Sequence, residues 1–186
     1  MRIGIDIGGT KIEGIALDAA GNILFRERIP TPAGDYHATV ATIASLVAHI
    51  ESITKNTGSV GVGIPGAMSP VTGVVKNANS TCLIGMPLDR DLAQALGREI
   101  RIANDADCFA LSEARDGAAA GYSSVFGVIL GTGVGGGIVI DGIPLAGPNA
   151  IAGEWGHNPM PGEVTGRPAC YCARAGCIET YLSGPG

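Results

Sequence analysis

Four residues toward the end of the sequence have the types and spacing of a metal site. His157, Cys170, Cys172 and Cys177 stand in the order His-x12-Cys-x-Cys-x4-Cys. Three thiolates and one imidazole fill a tetrahedral zinc shell with no open position, so such a metal would be structural rather than catalytic. The other reading is a disulfide or three idle thiols, although a Cys-x-Cys pair cannot easily bridge to itself. Glu154 precedes the histidine by three residues, and Glu179 follows the last cysteine by two. Carboxylates here could accept hydrogen bonds from a hydroxyl-rich ligand, or simply be solvated charges. His157 could serve twice, with one ring nitrogen on the metal and the other bonded to a hydroxyl.

Two glycine-rich stretches could receive an anion. In Asp6-x-Gly8-Gly9-Thr10-Lys11 the glycines let main-chain N–H groups approach phosphate, and Thr10 and Lys11 add a hydroxyl and a charge. Asp6 could hold Mg²⁺ or its waters through a carboxylate oxygen. A plain glycine-rich hairpin turn is the competing reading. The second stretch runs Gly131-Thr132-Gly133-Val134-Gly135-Gly136-Gly137. Its Gly131-x-Gly133-x-x-Gly136 spacing matches the dinucleotide fingerprint, but that fingerprint opens a helix. Here the glycines lead into Ile138-Val139-Ile140, which reads as a strand, so a second phosphate hairpin fits better. Asn104-Asp105 supplies the candidate general base: a carboxylate at a strand end can take the proton of an attacking hydroxyl. Asp105 could instead only cap the helix that follows.

The elements that must position these groups can be read from periodicity. Residues 2–7 and 12–17 read as a strand pair, 22–28 as a third strand, and 35–55 as a helix with Val40, Ile43, Leu46, Val47 and Ile50 at helical spacing. Residues 60–64 form a short strand ending at Pro65-Gly66, 88–97 a helix stopped by Gly97, and 100–103 a further strand. Residues 106–119 read as an alanine-rich helix. The pattern then restarts: a strand over 124–130, a glycine turn, an apolar run 138–140 and an Asp141-Gly142 hairpin turn. Strand, glycine turn, strand thus occurs twice, which predicts two similar lobes, 1–120 and 121–186.

The totals exclude several classes. The chain has 186 residues, 46% of them hydrophobic and 16% charged, enough for a substantial core. Its 30 glycines are not periodic, which excludes a collagen-like chain. The net charge of −5 and the lack of a basic stripe argue against nucleic acid as a partner. No apolar run reaches membrane-span length, and the N-terminus opens directly on a strand, so a cytoplasmic location is expected. With three cysteines on the metal, Cys82 and Cys108 remain as free thiols.

Taken together these motifs resemble the ROK family of sugar kinases. Asp6-x-Gly8-Gly9-Thr10-Lys11, Asn104-Asp105-Ala106-Asp107, the run 131–137, Glu154-x-Gly156-His157 and Cys170-x-Cys172-x4-Cys177-x-Glu179 fall in that family's order. Lys76-Asn77-Ala78-Asn79-Ser80-Thr81 and the Asn-Pro after His157 point to its bacterial fructokinases (the manno(fructo)kinase type), with the N-acetylglucosamine kinases as neighbours. The resemblance implies an α/β, actin-like, ribonuclease-H-type fold of two lobes, of which the second is incomplete here. It also implies ATP, Mg²⁺, a hexose substrate and a homodimer.

Carried over by position, Asp105 is the base, while Asn79, Asn104, Asp105, Glu154, His157 and Glu179 hold the sugar. Asp6, Gly8, Gly9, Thr10, Lys11, Gly131, Thr132, Gly133, Gly135 and Gly136 face the nucleotide and its Mg²⁺. His157, Cys170, Cys172 and Cys177 bind structural zinc. The expected reaction is phosphoryl transfer from ATP to a hexose, most simply fructose. An amino sugar or glucose, or a non-catalytic sugar-binding role, are the alternatives. The chain departs from the family at Asp107, where Asn is usual, and at Ala173, where Gly is usual. It is also shorter between Pro161 and Cys170.

Overall fold

The computed structural model describes residues 1–162 and 166–186, so part of the shortened segment after Pro161 lies outside the described residues. The chain forms two compact units, Met1–Asp105 and Ala106–Gly186.

The first unit is built on a five-stranded mixed sheet in the order β3-β2-β1-β4-β7. Its strands are β1 (Arg2–Ile7), β2 (Lys11–Leu17), β3 (Ile23–Pro30), β4 (Ser59–Ile64) and β7 (Ile100–Asn104); the short β5 (Ala67–Met68) and β6 (Val75–Lys76) pair separately. β1 to β3 form an antiparallel meander, whereas β4 and β7 run parallel to β1. This is the ribonuclease-H-type arrangement of the actin-like fold. Alternation in β1 sends Ile3, Ile5 and Ile7 to the core face and Asp6 to the other.

Helix α1 (Tyr36–Thr54) covers that core face, with α2 (Leu88–Leu96) beside it. The Asp35 side chain caps α1 by accepting from the Ala38 N–H at 2.9 Å. Ile43, Leu46, Val47 and Ile50 recur at helical spacing and are buried, each large one contributing about 1.5–3 kcal/mol. Gly97 ends α2 in a left-handed conformation, as expected from its position.

The second unit contains a three-stranded antiparallel sheet, β10-β9-β8, formed by β8 (Ser124–Leu130), β9 (Val134–Ile140) and β10 (Ile143–Pro144). α3 (Asp105–Arg115) leads into this unit, and α4 (Glu179–Leu182) follows the cysteines. The small face of α3, Ala106 and Ala110, is buried against glycines of the sheet. A Cβ at Gly127 would lie 2.9 Å from Ala110 Cβ, and one at Gly137 2.6 Å from the Ala106 carbonyl oxygen.

Two expectations change here. β9 begins at Val134, not at Ile138, so the glycine turn is only the three residues before it. The helix expected over 106–119 stops at Arg115. Glu113 ends it: its carboxylate accepts from the Ala118 N–H at 2.8 Å and lies where a side chain at Gly117 would go. Among the described residues no helix is long and apolar enough to cross a membrane.

Candidate active site

In the first unit the parallel strands β1, β4 and β7 all end at one edge of the sheet. Asp6 is in register with Gly63, Gly63 with Ala103, and Ile64 with Asn104. That edge therefore collects the Asp6–Lys11 turn, the Pro65-Gly66 turn and Asn104-Asp105. The C-terminal ends of parallel strands are where α/β sheets bind ligands.

The first turn is closed by the Gly8 N–H donating to the Lys11 carbonyl at 2.9 Å, which leaves no room for a side chain at Gly8. Thr31 pins it from β3's end, its hydroxyl donating to the Gly8 carbonyl at 2.8 Å and its N–H to the Thr10 carbonyl at 3.0 Å. Gly9 differs. A Cβ there would meet nothing within 4 Å, so packing does not demand a glycine. Its backbone has no left-handed angle either. A glycine that neither conformation nor packing requires leaves space for something outside the chain.

Asp6 keeps contact with solvent, yet its carboxyl is held above the ordinary range. Partial withdrawal from water is the larger cause and the facing Glu13 carboxylate the second, with Arg28 pulling the other way. Glu13 itself is held low, first by its hydrogen bond from Arg26. A cation beside Asp6 would relieve this crowding, so the residues fit Mg²⁺ or its waters.

Asn104 and the segment just before Asn79 meet around Gly66. That glycine has φ of +92°, and a Cβ on it would fall 2.4 Å from the Lys76 carbonyl oxygen and 2.8 Å from the Ala78 nitrogen. The turn after β4 thereby presses against the segment that carries Asn79. The Asn104 amide donates to the Gly66 carbonyl at 2.9 Å, tying β7 to the same point. Asp105 follows, half-buried, as the first residue of α3.

The second unit carries the other candidates. Gly131-Thr132-Gly133 forms the β8–β9 turn, closed by the Gly131 N–H on the Gly133 carbonyl at 2.9 Å. Gly131, like Gly9, has open space where a Cβ would be. Gly133 does not, because the Glu179 carboxylate lies 2.8 Å from that position. Glu179 is buried and accepts from the Val134 N–H at 2.9 Å, so it braces the turn from below. Gly135 and Gly136 belong to β9, with Glu154 lying over Gly135 and the Gly153 carbonyl pressed on Gly136.

Trp155 anchors the Glu154–His157 loop. Its indole N–H donates to the Gly135 carbonyl at 2.7 Å, and its ring meets Phe126 edge to face. Gly156 is the tightest point: a Cβ would stand 2.1 Å from the Val134 carbonyl oxygen. Its own carbonyl accepts from the Glu179 N–H at 2.8 Å.

The four metal-ligand candidates come together. One ligand atom from each of His157, Cys170, Cys172 and Cys177 lies within 4.8 Å of all the others. Cys170 Sγ is 3.5 Å from His157 Nδ1, and Cys172 Sγ is 3.6 Å from Cys177 Sγ. A tetrahedral zinc with Zn–S about 2.3 Å and Zn–N about 2.0 Å spaces two sulfurs by roughly 3.8 Å and sulfur from nitrogen by roughly 3.5 Å. The residues fit the ion. Cys170, Cys172 and Cys177 are free thiols, so the disulfide reading does not hold. Cys172 is lowered to about 7, first by the Arg174 backbone N–H, whereas burial pushes Cys177 up to about 11. Ala173 keeps the knuckle turn in a left-handed conformation, φ 66°, at a cost of roughly 1–2 kcal/mol relative to glycine.

Three contributors escaped the sequence reading: Thr31, Trp155 and Tyr171. The Tyr171 hydroxyl lies 3.0 Å from His157 Nε2, and its ring packs edge to face on the imidazole. Tyr171 stands inside the Cys-x-Cys spacer, a position that motif logic treats as arbitrary.

The ROK family model matches residues 2–186. The chain belongs to the ROK family. An N-acetyl-D-glucosamine kinase of Pectobacterium atrosepticum is 44% identical over 193 aligned positions, which take in all of this chain and 64% of that protein. The chain thus spans a little under two thirds of that ROK relative. Among solved structures, a ROK hexokinase from Thermus thermophilus matches with a TM-score of 0.82 at 33% identity, over 98% of this chain and 60% of that one. A ROK family glucokinase from Streptomyces griseus, in complex with glucose and AMPPNP, matches with a TM-score of 0.85 at 34% identity, over 99% and 57%. The expectation of a fructokinase finds no support among these relatives, whose similarity favours the amino-sugar alternative. Lys76–Thr81 and Asn-Pro, on which it rested, are short motifs beside an identity that extends along the whole chain.

Proposed function

We propose that this chain is the sugar- and phosphate-binding part of an ATP-dependent hexose kinase acting on N-acetyl-D-glucosamine. The observation that carries the reading is the 44% identity, over the whole chain, to N-acetyl-D-glucosamine kinases. A glucokinase is the second reading, supported by the similarity to a protein crystallised with glucose and AMPPNP.

In this mechanism Asp105 accepts the proton of the attacking sugar hydroxyl. Asn79, Asn104, Glu154, His157 and Glu179 hold and orient the sugar by hydrogen bonds. The turns Gly8 to Lys11 and Gly131 to Gly136 stabilise phosphate charge through those main-chain N–H groups that are not already bonded within the turns, with Lys11 and Thr10 adding donors. Asp6 would hold Mg²⁺, which neutralises phosphate charge when bound. His157, Cys170, Cys172 and Cys177 would hold zinc, which fixes the loop between Glu154 and Glu179 and takes no part in the transfer.

A coupled ADP-release assay with ATP, Mg²⁺ and a sugar panel tests the reading. Turnover fastest with N-acetyl-D-glucosamine is expected. Preference for glucose would establish the second reading, preference for fructose would restore the first expectation, and no sugar-dependent ADP release would overturn the kinase assignment.

The open glycines give a sharper prediction. Gly9→Ala and Gly131→Ala should leave the melting temperature nearly unchanged, because each new methyl meets only open space. Each should raise the KM for ATP by roughly tenfold or more, as the loss of one charge-assisted hydrogen bond of about 1.5 kcal/mol implies. A normal KM in both variants would remove these turns from the nucleotide site.

A further inference from the structure

One short segment of chain holds the Gly131–Gly133 turn at both of its ends. On one side the Gly184 N–H donates to the Gly131 carbonyl at 2.7 Å. On the other the Glu179 carboxylate accepts from the Val134 N–H at 2.9 Å, and its Oε2 lies 2.8 Å from where a Cβ at Gly133 would stand. Glu179 and Gly184 flank a single helical turn. Within it the Leu182 N–H donates to the Ile178 carbonyl at 3.0 Å and the Ser183 N–H to the Glu179 carbonyl at 3.1 Å. α4 therefore fixes the separation of the two holding groups. It is itself seated on the loop after Trp155, with the Glu179 N–H on the Gly156 carbonyl at 2.8 Å and the Ile178 N–H on the Asn158 carbonyl at 2.9 Å.

These bonds sort the donors of the turn. The Gly131 N–H is engaged by the Gly133 carbonyl, and the Val134 N–H by Glu179. Among the described residues nothing accepts from the N–H groups of Thr132 and Gly133. Successive free N–H groups in a turn make an anion-binding concavity. Two glycines in three residues leave such a backbone unusually free. Ordering it only when the ligand arrives would cost affinity, whereas a turn already held in shape does not carry that cost. A carboxylate beneath a phosphate turn opposes the ligand's charge, so Glu179 serves the turn by holding its shape and not by binding phosphate.

We propose that Glu179 and Gly184 are positioning residues, the two jaws of a clamp built on α4 that presets the turn so that the Thr132 and Gly133 N–H groups meet phosphate. The proposal rests on the reading of this turn as a phosphate site and is independent of which sugar is phosphorylated. The brace engages Oε2, and the second oxygen of the carboxylate carries the sugar-holding role proposed for Glu179.

The test is Gly184→Pro, which deletes the N–H of one jaw. Ser183 already has φ −76° and ψ 164°, the extended backbone that a following proline favours. Gly184→Ala is the control, because it keeps the N–H and its Cβ would stand 3.4 Å from the Gly131 carbonyl oxygen, an ordinary contact. In the proline variant amide exchange at Gly131 and Val134 is expected to quicken several-fold while the other amides of β8 and β9 keep wild-type rates. The KM for ATP is expected to rise roughly three- to tenfold, the worth of one hydrogen bond, with kcat and the KM for sugar within about twofold. The alanine variant should match wild type in both measurements. Wild-type exchange at Gly131 and Val134 in Gly184→Pro would overturn the clamp, as would equal quickening throughout β8 and β9. Local quickening with a normal KM for ATP would overturn its role at phosphate. Should the proline variant not fold, Gly133→Ala opens the other jaw by driving a methyl against Glu179 Oε2. Exchange at Gly184 should then quicken several-fold, and a wild-type rate there would overturn the coupling of the two jaws. A wild-type protein without sugar-dependent ADP release would overturn the phosphate reading, while the exchange rates would still decide the clamp.

Discussion

Asp105→Asn is expected to lower kcat by roughly a hundred- to ten-thousandfold, the usual worth of a positioned general base. Asparagine has nearly the shape of aspartate and serves as well at a helix start, so the first turn of α3 survives the change. What it cannot do is accept and hold a proton. The loss should therefore appear in kcat, with the KM for sugar and the melting temperature moving little. The control is Asp107→Asn. Two residues further along α3, its side chain points about 200° around the helix axis from Asp105. Turnover there should stay within a few-fold, and asparagine is the family's usual residue at that position. If Asp105→Asn turns over normally, Asp105 only begins the helix, and the base must be sought elsewhere.

The second large effect is expected from Cys177→Ser. Cys177 is 1% exposed and sits in the bridge that pairs it with Pro159. Serine offers a harder, far less acidic oxygen in place of the thiolate, so zinc affinity should fall by more than the roughly hundredfold seen for outer-sphere changes. Metal binding at such sites is coupled to folding, so the segment from Pro159 to Glu179 should loosen as well. Chelator treatment of the wild type should produce the same loss of thermal stability. Because the metal-free Cys177 thiol is pushed up to about 11, it is protonated at pH 7 and must release its proton to zinc. Zinc affinity should accordingly rise with pH across the neutral range. Retention of one zinc per chain by Cys177→Ser would remove this cysteine from the shell.

Much of this protein was legible in its residues alone. The β1–β2 hairpin, α1 and the stop at Gly97 follow from alternation, from helical spacing and from the turn preferences of glycine, all local properties. The clustering of His157 with Cys170, Cys172 and Cys177 was legible because metal coordination constrains residue type and separation together. The family was legible for the same reason: its motifs are short, ordered and chemically constrained. Substrate choice was not, because Lys76–Thr81 and Asn-Pro are brief signals, while specificity depends on the surface that the whole chain builds.

What remained was decided only in three dimensions. Gly137 was read as part of the phosphate stretch, yet it, like Gly127, is there so that α3 can lie on the sheet. Sequence cannot separate these two uses, because both ask only for a missing Cβ. Tertiary packing separates them, by filling the space at Gly137 and Gly156 and leaving it open at Gly9 and Gly131. Likewise, nothing in the order of residues brings Asp6, Gly66 and Asn104 to one sheet edge; the parallel register of β1, β4 and β7 does so. Residue types and spacing thus determined which chemistry the chain can support. Long-range strand pairing and close packing decided where that chemistry is assembled and which glycines serve it, since both depend on contacts between residues far apart in the chain.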